Sequence, residues 1–256
     1  MLKSIRNMSS SNKQKMYMGL VSFAILSVFI YKFLYVGLPY FSEIIAGKVP
    51  PPIYEVIDSS TLKSMDNDEF SESLHNEQRQ SEITVIFDKL VEQQQNTGKK
   101  YQVVFRKWDE IPNALALVNG TIVVTDELVS LIDNEEELAA VLLHEIGHVV
   151  HNHSMENMIR VSIASIMLSF MFGDISTIGT ILVEGASLGV TLTYSRDAEL
   201  EADEFAIKAL KLHYGSVAAL ESILLKLHGE SDVEKSWLST HPSVDERLKM
   251  IQINRD

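Results

Sequence analysis

His144-Glu145-Ile146-Gly147-His148 sets two histidines four residues apart with a glutamate beside the first. On a helix, residues four apart lie one turn above the other on the same face. Both imidazoles can therefore converge on one metal ion, while the glutamate reaches a water polarised by that ion without ligating it. A catalytic zinc centre needs a third protein ligand and a position left for water. His153 does not qualify, because a continuing helix would turn it away from the His144/His148 face. The metzincin spacing also requires a glycine and a histidine where this chain has His151 and Ser154. A better source lies fifty residues on, in Ser195-Arg196-Asp197-Ala198-Glu199-Leu200-Glu201-Ala202-Asp203. Glu199 and Asp203 are again four apart, so one can ligate while the other accepts the free ring N–H of a ligating histidine. Glu201 points elsewhere, to solvent or to a partner of its own. The chain has no cysteine. That excludes thiolate-ligated metals, disulfide scaffolds and cysteine nucleophiles, and any zinc site must be built from histidine and carboxylate.

Positioning these groups takes helices and a small sheet. Tyr101–Arg106, Ala114–Val118 and Thr121–Thr125 read as strands, with Asn119-Gly120 as a turn signal between the last two. Asp126–Ile132 reads as a short helix. Asn134 is a plausible N-cap with Glu137 at the third helical position, opening the helix that carries His144 and His148. Tyr214-Gly215 ends the helix of Glu199, and Val217–His228 and Ser243–Ile253 are two further helices. The expected fold is α+β, mainly helical, with a small sheet on one side of the metal helix. Ala114–Val118 or its neighbour could pair with an extended substrate backbone.

Hydrophobic residues make up 46% and charged residues 22% of the 256, a globular composition. The net charge of −13 argues against nucleic acid as a main partner. That charge is divided: residues 1–15 carry Lys3, Arg6, Lys13 and Lys15 and no acid, whereas 34 of the 35 acids follow residue 48. Between them, residues 16–42 contain one charge, Lys32, in an otherwise apolar stretch of spanning length. We read 1–15 as a basic cytoplasmic leader and 16–42 as a single transmembrane anchor. Its orientation, N-terminus inside, follows the positive-inside rule. A cleaved signal peptide and a buried helix are the rival readings. Pro50-Pro51-Pro52 stops any helix, and residues 43–77 read as an exposed acidic linker. A helix is expected over about 68–96, and the catalytic domain over 78–256.

The two motifs together resemble the membrane-associated zinc peptidases of the HtpX, CAAX prenyl protease, BepA and Oma type. The resemblance extends upstream through Asn113-Ala114, Gly120–Thr125 and Glu136–Val141, and downstream through Thr240-His241-Pro242-Ser243, Arg247 and Leu248. With one pass before the domain, the chain looks closer to the Oma and BepA side. The resemblance implies a zincin-like fold with one Zn²⁺ held by His144, His148 and Glu199. It implies Glu145 as general base, Asp203 as partner of His144, His241 as stabiliser of the oxyanion, and Arg247 as a buried structural or substrate-binding arginine. It also implies protein or peptide substrates, membrane proteins among them, in quality control at a membrane. A bacterial inner membrane with a periplasmic catalytic domain fits the leader. A mitochondrial inner membrane is the alternative.

The apolar stretch 161–193 admits three readings: a buried hairpin over the site, a hairpin dipping into the membrane surface, or two spans. A membrane-tethered scaffold with a dormant metal site is the rival function. Trp237, in the polar loop before His241, is a candidate anchor for that loop.

Overall fold

The computed structural model describes residues 10–94, 98–109, 111–172, 193–229 and 240–255. Two units are separable, residues 1–44 and residues 45–256.

In the first unit, α1 (Ser10–Lys32) runs through a π-helical stretch (Phe33–Gly37) into α2 (Leu38–Ala46). The widened turn precedes Pro39, which lacks an N–H and crowds the carbonyl four residues back, so a local π-bulge keeps the helix running through it. Residues 11–46, whose most apolar 18-residue window has a mean hydropathy of 1.9, are the one helix, among the described residues, long and apolar enough to cross a membrane.

The second unit is helical around a four-stranded sheet. Its elements are α3 (Pro51–Asp68), β1 (Ser71–Glu72), α4 (Glu77–Glu92), β2 (Gln102–Lys107), β3 (Ala114–Ala116), β4 (Thr121–Thr125) and α5 (Asp126–Leu131). They continue with α6 (Glu135–Val150), α7 (His153–Phe172), α8 (Arg196–Tyr214), α9 (Ala218–Gly229) and α10 (Val244–Ile253). Strand order is β1-β2-β4-β3. β2 and β4 run parallel from Gln102↔Thr121 to Arg106↔Thr125, and β3 lies antiparallel to β4 with Leu115 opposite Val123. Gly120 closes the β3–β4 turn at φ 102°, and a Cβ there would sit 3.3 Å from the Lys100 carbonyl, so glycine is required.

Alternation along β4 assigns each face of the sheet its own cover. Ile122 and Val124 join the core that contains Leu138, Leu142, Leu143 and Ile146 of α6. Val123, with Leu115 and Leu117, packs instead with Met65, Phe70 and Trp108. Residues 43–77 are therefore not a linker. Most of them form α3, whose Tyr54, Asp58, Thr61 and Met65 are buried along one stripe. The prolines begin this helix as much as they end the previous one, with Pro50 at the N-cap and Pro51 in the first turn. The acidic Asp58 is structural: its Oδ1 accepts the Asn119 N–H at 2.7 Å at the β3–β4 turn. The helix expected from 68 starts at Glu77, where the Asn76 side chain accepts from the Arg79 N–H at 2.9 Å. Phe70 belongs to the sheet's outer cluster rather than to that helix, and Leu74 is exposed.

The metal helix starts as expected, with Asn134 Oδ1 accepting from Glu137 N–H at 3.0 Å. Glu137 returns its carboxylate to Asp133 N–H at 2.9 Å and to Lys226 Nζ at 2.6 Å, which ties α6 to α9. Gly215, in the left-handed conformation at φ 69°, ends α8. α7 is continuous to Phe172. The rest of the 161–193 stretch, from 173 to 192, and the loop of Trp237 lie outside the described residues.

Candidate metal centre

α6 crosses α8 at Gly147, where a Cβ would stand 3.0 Å from Ala202 Cα and 3.1 Å from its carbonyl. This crossing places the His144/His148 face against Glu199 and Asp203. A Gly147→Ala substitution would gain roughly 1 kcal/mol of helix propensity. The obstruction is backbone, however, and overpacking of this kind costs about 1–3 kcal/mol. We expect a net loss of stability on chemical denaturation and weaker metal binding; a stabilised Gly147→Ala protein would contradict the crossing.

His144, His148, Glu199 and His241 are buried, and one ligand atom from each lies within 4.8 Å of all the others. His148 Nε2 is 3.0 Å from His144 Nε2 and 3.4 Å from Glu199 Oε1. His144 Nε2 is 3.6 Å from Glu199 Oε2. His241 Nδ1 is 3.1 Å from Glu199 Oε1 and 3.3 Å from His144 Nε2. Nitrogen and oxygen ligands around tetrahedral zinc stand ~3.3 Å from one another, given bonds of about 2.0–2.1 Å. The donor set fits a metal of that kind. If all four ligated together no position would remain for water, so a hydrolytic centre needs His241 in another role.

The protonation pattern also suits a cation. Burial pushes the pKa of His144 down and that of His148 well below the ordinary histidine value, so both rings present lone pairs. Burial would raise Glu199, but His241 and Arg247 outweigh it and hold its carboxyl well below the usual range. Burial also opposes a charge on His241, yet Glu199 and Glu145 raise its pKa above that of a free histidine. Glu145 is fully buried, and although the Ala116 N–H and the His241 ring face its carboxylate, burial outweighs them and pushes its pKa up to about 7. Its Oε1 lies 3.5 Å from His241 Nε2.

Asp203 meets His144 Nδ1 at 2.7 Å and is gripped by Arg247 through Nε at 2.6 Å and Nη2 at 2.7 Å. Arg247 Nη1 also contacts Glu199 Oε2 at 2.7 Å. Its guanidinium thus joins two carboxylates inside the protein.

A model of peptidase family M48 matches residues 77–254. The chain belongs to that family. The matched M48 region runs from the first residue of α4 to just past α10. The chain is 32% identical to a β-barrel assembly-enhancing protease of Yersinia pestis over 65% of its own length and 37% of that protein's. It is 31% identical to the metalloprotease YcaL of Escherichia coli over 55% and 57% of the two chains. Against the mitochondrial metalloendopeptidase OMA1 of Schizosaccharomyces pombe it is 26% identical over 56% and 44%. In each case it spans less than two thirds of the relative's own length.

Three features of this M48 centre are not evident from residue spacing. Tyr194, directly before the α8 N-cap, stacks on His148 with ring centroids 4.0 Å apart, and its N–H donates to the Thr240 carbonyl at 3.0 Å, beside His241. Ser154 Oγ donates to the Ala116 carbonyl at 2.6 Å, so a substrate strand pairing with β3 at that point must displace Ser154. His153, set aside as a ligand, folds back onto His148 with its Nδ1 2.9 Å from His148 Nδ1. Burial pushes its pKa down to about 4.

Proposed function

We propose that this chain is a membrane-anchored zinc metalloendopeptidase acting on proteins at the membrane. The observation that carries the reading is one fully buried group in which two neutral histidines and an ionised Glu199 converge beside the buried carboxyl of Glu145. His144, His148 and Glu199 are the ligands. When bound, zinc supplies a Lewis acid that polarises the scissile carbonyl and acidifies a water. Glu145, with a pKa near 7, takes a proton from that water and returns it to the leaving amine. His241, kept cationic by Glu199 and Glu145, donates from Nε2 to the negative charge developing on the carbonyl oxygen. Asp203 fixes the tautomer of His144, and Arg247 fixes Asp203.

The apolar helix of residues 11–46 and the basic residues before it support an anchor whose catalytic body faces away from the cytoplasm, periplasmic in a bacterium. A mitochondrial inner membrane is the alternative the leader allows. A relative named for enhancing β-barrel assembly points to membrane-protein quality control as the setting.

The test uses the full chain in detergent micelles. We expect one zinc per chain, casein cleavage that stops on chelation and returns with zinc, and a Glu145→Gln variant that keeps the metal and loses cleavage. Bound zinc without any Glu145-dependent cleavage would leave the scaffold reading in its place.

A further inference from the structure

His148 is held from behind by a chain of two groups, and the chain exists because α6 and α7 are not one helix. α6 ends at Val150, Asn152 adopts a left-handed φ of 61°, and α7 begins at His153. In an unbroken helix, His153 would stand about 140° round from His148. The break swings it back until the two Nδ1 atoms are 2.9 Å apart, while His153 Nε2 reaches Glu201 Oε2 at 3.2 Å. The other Glu201 oxygen, Oε1, meets His151 Nδ1 at 3.1 Å. Asn152 is itself pinned, its Oδ1 accepting from Lys99 Nζ at 2.7 Å.

Proton counting leaves one arrangement. His148 Nε2 faces His144 and Glu199 and must present a lone pair to a metal, so the ring's single proton lies on Nδ1. That N–H donates to His153 Nδ1, which therefore carries no proton. The proton of His153 lies on Nε2 and is donated to the Glu201 carboxylate. Every ring remains neutral, and every hydrogen bond in the chain has one donor and one acceptor. His144 receives the same service from Asp203 and Arg247.

We propose that His153 and Glu201 are positioning residues of the metal centre, fixing the tautomer and ring orientation of His148 from the side opposite the metal. The inference rests on the zinc reading above. Loss of a partner behind a metal-bound histidine typically weakens metal binding 10–100-fold.

The experiment measures zinc affinity of the full chain in detergent by competition with a chelator, alongside thermal unfolding of each metal-free form. His153→Leu fills the space without an acceptor. His153→Asn places its Oδ1 near the position of the imidazole Nδ1 and accepts the same N–H. We expect His153→Leu to bind zinc 10–100-fold more weakly than the parent and His153→Asn to recover most of that loss, even where the leucine form melts higher. A packing role predicts the reverse order. Glu201→Ala should weaken binding by a smaller factor in the parent and have no effect in the His153→Leu background. Parent-like affinity in His153→Leu, or asparagine no better than leucine, overturns the proposal. A parent chain that binds no zinc overturns the underlying zinc reading instead.

Discussion

Glu145→Gln is expected to lower turnover by about 10²–10⁴-fold while stabilising the metal-free protein above neutral pH. The first effect follows, on the proposed mechanism, from removing the carboxylate that accepts the water's proton. The second follows from burial. The carboxyl's pKa rises from 4.5 to about 7 in the folded protein. Between those values the fold holds a proton that the unfolded chain has released, so this group's contribution to stability falls as pH rises through the window. Glutamine has no charge to bury. Its advantage should be under about 1 kcal/mol at pH 5 and reach roughly 3 kcal/mol at pH 8, from 1.36 kcal/mol per pKa unit. Thermal melts of the chelated parent and variant at the two pH values test this; a pH-independent difference would mean that Glu145 is not buried as a charge.

Arg247→Met should be the most damaging single substitution to the fold near the site. The guanidinium is buried and neutralises Asp203 and Glu199 together. Removing one partner of a buried ion pair costs about 3–5 kcal/mol, because the opposite charge is left uncompensated. Here Asp203 loses its cation, and Glu199 keeps only His241. Both have pKa values held below the ordinary range. Their contribution is therefore present above the unfolded carboxylate pKa and lost as pH falls through the folded value. The gap between parent and variant should narrow in strong acid. Arg247→Lys should not rescue it, since an ammonium cannot reproduce the planar two-point grip on Asp203. Urea unfolding of the metal-free chain at pH 7 and near pH 3 reads both effects.

The contrast between what spacing revealed and what it hid has a physical basis. The four-residue pairs His144/His148 and Glu199/Asp203 were legible because a helix converts a fixed interval into a shared face. The β3–β4 turn was legible because Gly120 answers a backbone demand. α3 was missed because its buried stripe reads Tyr54, Asp58, Thr61, Met65, so two of four inward positions are polar and the apolar period vanishes. His153 stays outside the candidate ligand group, but its direction differs from the expected one because a single left-handed residue, Asn152, cancels the helical extrapolation. Arg247 was expected on resemblance alone, and only its three short contacts identify it as a clamp between carboxylates. Tyr194 gave no signal, since stacking on a ring 46 positions earlier leaves no local pattern.

The packing of α3 against the outer face of the sheet also decides what proteolysis ahead of the M48 region would leave behind. A cut ahead of Pro51 would release the catalytic unit with α3 still seated. A cut between Asp68 and β1 would free a fragment whose Val123, Leu115 and Leu117 have lost their Met65 neighbour, leaving a sticky face on a body that keeps His144, His148, Glu199 and His241. The first cut removes only Ala46 and Val49 from their cluster with Tyr54, Val118 and Met155; the second strips the outer face of the sheet.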